Sequence, residues 1–225
     1  MERYISKLTE AFQEKADPEN AEKMSDYMQN KFEFFGINAQ PRRQATRKLM
    51  RQDNRPDDEE LEEIVKELWK LPEREFQYFG QELLQRYTNK FDQEIIELFE
   101  YMITHKSWWD TVDIIAKKLV GEYFKKFPEQ RNRYIGKWIN SDNIWLQRTA
   151  LLFQLGYKEK TDLELLFTLI EKLKDSDEFF IQKAIGWALR EYSRIDPDKI
   201  EQFIQATELP SLSEREGRKN IQKGE

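Results

Sequence analysis

Residues 141–157 read SDNIWLQRTALLFQLGY, and residues 176–192 read SDEFFIQKAIGWALREY. The two segments match over an offset of 35 residues, because both begin with Ser-Asp and Gln-Arg in the first corresponds to Gln-Lys in the second. SWWDTVDIIAKKL begins 34 residues before the first segment, and PEREFQYFGQELL lies about one period further upstream. A period near 35 built from helix pairs is typical of α-solenoids. We therefore predict an all-α solenoid whose concave surface, lined by one helix of each pair, carries the function.

Helical periodicity continues along the whole chain of 225 residues, which contains only 8 Gly and 7 Pro. The pattern predicts helices at 3–15, 18–34, 42–52, 57–70, 73–88, 92–104, 108–126, 131–139, 143–155, 162–173, 177–193, 197–207 and 212–221. The predicted N-caps are Asp142, Asp162, Asp177 and Ser211. Because no long Gly/Ser-rich or Pro-rich linker interrupts the pattern, we predict a single domain over residues 1–225.

Composition excludes several kinds of site. The chain has no Cys, so disulfides, thiol nucleophiles and Cys-based zinc sites are excluded. His105 is the only histidine, and we expect neither a metal nor a cofactor. The N-terminal segment is charged and amphipathic, and no segment is apolar enough to span a membrane. These features predict a soluble cytoplasmic protein with no membrane partner.

Charge is unevenly distributed along the chain, whose net charge is −6. Residues 51–100 hold 7 Lys/Arg against 15 Asp/Glu, whereas residues 101–160 hold 11 against 6. The overall charge therefore neither supports nor excludes a polyanion site on one face.

The doubled tryptophan of SWWDTVD has an unusual position at the head of a predicted helix. Neighbouring helical side chains point about 100° apart, so the two rings do not share one face. Trp108 falls on the apolar stripe with Val112, which predicts that it is core. Trp109 falls instead on a row with Asp113 and Lys117. An aromatic ring and an acid thus share the edge of the core face.

A second helix, predicted at 177–193, has a similar edge. Trp187 lies off the apolar stripe, on a row with three cations. Arg148 occupies the repeat position that corresponds to one of them, one helix pair earlier. The three cations are Lys183, Arg190 and Arg194.

Tyr27 is a third off-core aromatic, on the helix predicted at 18–34. Each candidate also has a structural interpretation. Large aromatics such as Trp109 and Trp187 often fill the seams between solenoid repeats. Asp113 taken alone is more often a solvated residue or the partner of Lys117 than a catalytic group. The functional interpretation depends on the coincidence of aromatics, one acid and several bases on corresponding edges of successive repeats.

Four blocks of the sequence are long and specific: FFGINAQPRR at 34–43, KSWWDTVD at 106–113, SDNIWLQR at 141–148 and EFFIQKAIGWALREY at 178–192. They resemble the AlkD family of bacterial DNA glycosylases, which are built from HEAT-like helical repeats. The likeness extends over nearly the whole chain. It implies a concave DNA-binding surface.

The resemblance implies excision of cationic alkylated purines, chiefly 7-methylguanine and 3-methyladenine, by hydrolysis of the N-glycosidic bond. The family's catalytic aspartate falls on Asp113, and the two tryptophans that frame the deoxyribose fall on Trp109 and Trp187. The resemblance further implies that the lesion is processed while still stacked in the duplex, without base flipping.

The expected partner is double-stranded DNA that contains alkylated bases. The family's DNA-contacting arginine falls on Arg148, and Tyr27 matches an active-site aromatic of the family. The basic edge adds Lys183, Arg190 and Arg194, and the first block adds Arg43. We expect a monomer. Two alternatives stay open: a catalytically inactive solenoid that binds DNA through the same edge, and a protein-binding scaffold that uses the acidic helix near 57–67.

Overall fold

A computed structural model describes residues 1–221, and the regular structure of that part is almost entirely helical. The helices are α1 (Glu2–Gln13), α2 (Pro18–Tyr27), α3 (Ala39–Ala45), α4 (Asp58–Lys70), α5 (Arg74–Leu84), α6 (Ile95–Thr104), α7 (Trp109–Ile115), α8 (Gly121–Lys126), α9 (Arg131–Ile139), α10 (Ile144–Leu152), α11 (Leu163–Leu173), α12 (Phe179–Tyr192), α13 (Pro197–Ala206) and α14 (Ser211–Gly217). A π-helical turn, Ala116–Val120, joins α7 to α8. The predicted all-α class is confirmed.

The chain forms two compact units, the first at Met1–Lys90 and the second from Phe91 onward. The first contains α1 to α5, and the second contains α6 to α14. The single domain predicted over residues 1–225 stays a prediction, and its last four residues, 222–225, lie outside the described part of the chain.

The first unit contains a fully buried acid, Glu75 of α5. Its Oε1 accepts hydrogen bonds from the backbone N–H groups of Gly36 and Ile37, both at 3.0 Å, and its Oε2 accepts one from Phe35 at 3.1 Å. Burial raises the pKa of Glu75, although the three backbone donors act in the opposite direction. One carboxylate therefore holds the loop that leads into α3.

The second unit is a stack of helix pairs. Helix α10 packs against α7 on one side and α12 on the other, and α12 packs in turn against α14. We call α7, α10, α12 and α14 the inner row. The helices α6, α9, α11 and α13 each pack against a member of this row. Consecutive pairs therefore lie side by side, as the sequence period predicted.

The internal repeat is also visible in one recurring hydrogen bond. Gln147 Nε2 donates to the carbonyl of Ser141 at 2.7 Å, and Gln182 Nε2 donates to the carbonyl of Ser176 at 3.0 Å. The two glutamines are 35 residues apart, and so are the two serines. The similarity of the two sequence segments thus reflects the same folded turn before each inner helix.

Several predicted helix boundaries are wrong. The helix predicted at 18–34 ends at Tyr27, because Gln29 and Asn30 adopt left-handed backbone angles, with φ of 57° and 55°. The helix predicted at 42–52 is α3, Ala39–Ala45, and the last predicted helix ends at Gly217 rather than 221. The continuous helix predicted at 108–126 is divided by the π-helical turn.

Only one of the four predicted N-caps is confirmed. Asp162 accepts a hydrogen bond from the N–H of Leu165 at 3.0 Å. Asn143, not Asp142, caps α10. Helix α12 begins after Glu178 rather than Asp177, and α14 begins after Pro210 rather than Ser211.

Candidate active site

The two tryptophans at the head of α7 have different environments. Trp108 precedes the helix in extended backbone (φ −160°, ψ 160°), and its carbonyl accepts a hydrogen bond from the N–H of Val112 at 3.1 Å. Its ring is buried, which confirms the prediction for Trp108. Trp109 is the first residue of α7 and is half-buried, with Asp113 one turn further along the same helix face.

Asp113 forms a two-pronged ion pair with Arg148 of the neighbouring inner helix, α10. Arg148 Nε donates to Oδ1 at 2.7 Å, and Nη2 donates to Oδ2 at 2.8 Å. Both side chains are largely buried, with exposed fractions of 11% for Asp113 and 5% for Arg148. Such paired, parallel bonds fix the orientation of a carboxylate as well as its position. The alternative that Asp113 pairs with Lys117 is wrong.

Arg148 is held in turn by the third helix of the inner row. Its Nη1 donates to the carbonyl of Phe180 at 2.5 Å, at the start of α12. The Phe180 ring lies 4.9 Å from the Trp108 ring and 5.0 Å from the Trp145 ring, measured between centroids. Trp145 and Phe180 are separated by the repeat period of 35 residues. The ion pair therefore rests on an aromatic cluster built from three consecutive repeats.

Two opposing effects act on the charge of Asp113. Burial raises the pKa of its carboxyl above the ordinary aspartate range, and the guanidinium of Arg148 only partly offsets the increase. Both carboxylate oxygens accept from an arginine, which has donors only. Two parallel bonds from a guanidinium are stronger to the ionised carboxylate than to the protonated group, so Arg148 favours the charged form of Asp113.

The backbone that follows Asp113 is irregular. The N–H of Gly121 bonds to the carbonyl of Ala116, five residues earlier, which defines the π-helical turn. A Cβ atom at Gly121 would lie 2.6 Å from the carbonyl oxygen of Phe153, so only glycine permits this close approach. The hydroxyl of Tyr157 also donates to the Gly121 carbonyl at 2.5 Å. π-Helical turns frequently occur at functional sites.

Trp187 lies on α12, two inner helices away from α7. It is half-buried and shares a helix face with Lys183 and Arg190, four residues before it and three after. Both cations bond to Glu216 of α14, at 2.9 Å from Lys183 Nζ and 3.1 Å from Arg190 Nη1. The predicted basic and aromatic edge is therefore present, and an acid that the sequence did not single out lies within it.

The other predicted DNA contacts have different surroundings. Arg194 follows α12, is largely exposed and pairs with Glu191 at 3.2 Å. In the first unit, Tyr27 is 72% exposed at the end of α2, and Arg43 of α3 is bound to Glu82 at 2.9 Å. The DNA contacts predicted for these residues, and for Arg148, stay predictions.

Sequence reasoning missed the protein partner of Arg148. A signal for this pair was present in the sequence. Asp113 and Arg148 are 35 residues apart, which equals the repeat period and therefore places them on neighbouring helices of the inner row. Nothing in the sequence indicates Glu216 as a partner of the basic edge, because the segments that match each other end at residue 192.

Two features are absent from the part of the chain that the structure describes. Among residues 1–221, no cluster of three or more His, Cys, Asp or Glu side chains has an arrangement that suits a metal ion. In the same part of the chain, no helix combines the length and apolar composition that crossing a membrane requires.

Comparison with known proteins places the chain in a family. The family model described as DNA alkylation repair enzyme matches residues 8–221. A solved structure from Enterococcus faecalis, described as a predicted DNA alkylation repair enzyme, is 34% identical, covers 92% of this chain and 97% of its own, and superimposes with a TM-score of 0.86. No curated protein matches the chain.

More distant structures share the fold. The crystal structure of AlkD2 from Streptococcus mutans is 20% identical, covers 73% of this chain and 82% of its own, and has a TM-score of 0.58. Fold, family model and relatives together define an all-α protein of DNA alkylation repair. The chain belongs to the DNA alkylation repair enzyme family.

Proposed function

We propose that the protein is a monofunctional DNA glycosylase, a monomer of the cytoplasm that removes cationic alkylated purines from duplex DNA. The substrates are 7-methylguanine and 3-methyladenine, and the reaction is hydrolysis of their N-glycosidic bond. The observation that carries this proposal is the buried, two-pronged Asp113–Arg148 pair, which holds one carboxylate in a fixed orientation beside Trp109. A largely buried acid that is fixed by a neighbour is a candidate for catalysis rather than for surface solvation.

The chemistry of the substrate suits a lone carboxylate. When the bond between C1′ and the base nitrogen breaks, its electron pair passes to the cationic base, which leaves as a neutral molecule. Positive charge develops on the sugar, and water then adds to C1′ with loss of a proton. No strong general acid is required, because the leaving group needs no further proton.

Asp113 stabilises the developing sugar cation and orients the attacking water. A carboxylate about 4 Å from a unit charge contributes on the order of 4 kcal/mol at an effective dielectric constant near 20, and the positive charge of Arg148 reduces this contribution. Each oxygen uses one lone pair on Arg148 and retains a second, which is available to water. Arg148 thus positions the carboxylate without occupying all of its acceptor capacity.

The two half-buried tryptophans supply the remaining contacts with the sugar. The aromatic faces of Trp109 and Trp187 attract a developing cation by roughly 0.5–2 kcal/mol each. Both approach from the backbone side, so the lesion is processed without rotation out of the stack.

Each unit supplies side chains for DNA binding. In the second unit, Lys183, Arg190 and Arg194 bind phosphates, and the largely buried Arg148 contributes through the Asp113 carboxylate that it holds. In the first unit, Arg43 binds phosphate and Tyr27 contacts DNA. Affinity for DNA therefore falls steeply with salt, because each phosphate contact releases counterions.

The decisive experiment measures release of free base from duplex DNA that contains 7-methylguanine. Asp113→Asn retains the shape of the side chain and removes its charge, so base release should fall by about two to three powers of ten. Asp110→Asn, the same change three residues earlier in α7, is the matched control and should retain activity within about twofold of the unaltered protein.

Three results would contradict the proposal in different ways. Undiminished activity of Asp113→Asn would remove the catalytic assignment. Salt-sensitive DNA binding without base release by the unaltered protein would favour an inactive DNA-binding solenoid. Absence of DNA binding at low salt would favour a protein-binding scaffold, for which the acidic face of α4 is the candidate surface.

A further inference from the structure

The helix α14 places one carboxylate, Glu216, among three cations. Its Oε1 lies 2.9 Å from Lys183 Nζ, and its Oε2 lies 3.1 Å from Arg190 Nη1 and 2.6 Å from Lys219 Nζ. Only 6% of the Glu216 side chain is exposed, against 36% for Lys183 and 29% for Arg190. The acid is therefore enclosed, while the two cations of α12 still reach the surface.

The two cations flank Trp187 on α12. Lys183 lies one turn before Trp187 and Arg190 one turn after it, so the three side chains form one row along the helix. Because Glu216 bonds to the cations at both ends of the row, its carboxylate fixes their positions relative to Trp187.

The backbone of α12 is adapted to this contact. A Cβ atom at Gly186 would lie 2.4 Å from Cβ of Glu216 and 2.8 Å from the carbonyl oxygen of Ser213. Glycine at this position therefore lets α14 approach α12 closely enough for Glu216 to reach both cations.

Glu216 is ionised over the range in which DNA repair operates. Burial acts to raise the pKa of its carboxyl, but the ammonium groups of Lys219 and Lys183 outweigh burial and lower the pKa to about 2. The cations around it thus have a permanent negative partner at neutral pH.

We propose that Glu216 is a positioning residue of the DNA-binding surface, which holds Lys183 and Arg190 on either side of Trp187 for contact with two phosphates. This inference rests on the proposed function. A bond to Glu216 uses one of the three donors of the Lys183 ammonium and one of the five donors of the Arg190 guanidinium. The remaining donors can meet phosphate without the entropic cost of ordering two long side chains.

The opposite role would be simple neutralisation, in which Glu216 weakens the attraction of the cations for DNA. The two roles predict opposite signs. If Glu216 positions the cations, Glu216→Gln should raise the Kd for undamaged duplex DNA by roughly tenfold. It should also lower the slope of log Kd against log salt by up to about 0.9 for each phosphate contact that is lost. If Glu216 only neutralises, the same variant should bind more tightly and with a steeper slope.

The experiment measures Kd for undamaged duplex DNA at several salt concentrations for the unaltered protein and Glu216→Gln. Glu201→Gln is the matched control, because Glu201 is a carboxylate of α13 that pairs with Arg218, at 3.0 Å, and not with the basic edge. Its Kd should equal that of the unaltered protein. A second comparison introduces Glu216→Gln into a Lys183→Gln, Arg190→Gln protein, where it should have no further effect on Kd.

Each other outcome overturns the inference. Unchanged or tighter DNA binding by Glu216→Gln would overturn it. The same loss of affinity from Glu216→Gln in the Lys183→Gln, Arg190→Gln protein would also overturn it, because such a loss would arise from a displaced α14. These results leave base release by the unaltered protein intact, and the proposed function with it. Failure of the unaltered protein to bind DNA would overturn both.

Discussion

Arg148 reaches Asp113 from the next helix pair, one repeat of 35 residues further along the chain, and bonds to both of its oxygens. Lys183 occupies the position one repeat beyond Arg148, but its acid, Glu216, lies on the opposite side, in α14. The same repeat position thus carries a base in both cases, which is buried beside Asp113 in one repeat and partly exposed beside Glu216 in the next.

Removal of the Arg148 guanidinium should strongly destabilise the fold. Arg148→Gln leaves the largely buried Asp113 carboxylate without its charged partner, and losing one member of a buried pair costs about 3–5 kcal/mol. Urea denaturation should show this decrease in the free energy of unfolding. In the double variant Asp113→Asn, Arg148→Gln the decrease should be smaller, because no buried charge remains. A double variant that is as unstable as the sum of the two single variants would contradict a direct interaction.

Base release should depend on pH through Asp113. Burial raises the pKa of this carboxyl, and Arg148 partly offsets the increase. Because the carboxylate is the active form, the single-turnover rate should fall with decreasing pH at values above the ordinary aspartate pKa of about 3.9. In Arg148→Gln the loss should occur at still higher pH, since burial is then unopposed. Asp113→Asn measures the background from spontaneous depurination, and an unchanged profile in Arg148→Gln would contradict the assignment.

Glu216 should make the stability of the protein sensitive to acid. Its folded-state pKa of about 2 lies below the ordinary glutamate value, so its ionised form stabilises the fold. This contribution is complete above about pH 4.3 and is lost as the pH falls through the folded-state pKa. Thermal denaturation should therefore show a larger decrease in Tm between about pH 5 and about pH 2 for the unaltered protein than for Glu216→Gln. Parallel decreases would contradict the prediction.

Two helical glycines should respond in opposite ways to the same substitution. Gly186→Ala places a methyl group where the Cβ of Glu216 and the Ser213 carbonyl already lie, and overpacking of this kind costs about 1–3 kcal/mol. Gly136→Ala in α9 meets nothing within 4 Å and should stabilise the protein by up to about 1 kcal/mol through helix propensity. Denaturation curves of the two variants test the contact between α12 and α14, and equal effects would contradict it.

The sequence predicted the repeat architecture well because helix periodicity and the 35-residue offset can both be detected in the sequence itself. The same patterns separated buried Trp108 from half-buried Trp109 and identified the exposed ring of Tyr27. Periodicity could not detect the π-helical turn after α7, since that turn depends on the close contact between Gly121 and the backbone of Phe153.

The partners of the candidate site residues were harder to predict. A helix row places Asp113 beside Lys117, but the structure pairs it with Arg148, because contact between repeats outweighs proximity along one helix. The bond from Lys183 to Glu216 links α12 to α14, where the repeat period no longer gives the register. Spacing within one helix therefore indicates which side chains share a face but not which of them meet a neighbouring helix.

The side chains that hold the Asp113 carboxylate in place do not belong to a single repeat. Trp108 and Asp113 belong to one repeat, Trp145 and Arg148 to the next, and Phe180 to a third. The smallest transplantable unit is therefore three consecutive repeats, and a chimera that exchanges one helix pair alone would separate the acid from the groups that hold it. The repeats of such tandem arrays are commonly regarded as interchangeable modules, but the three repeats that hold Asp113 depend on one another.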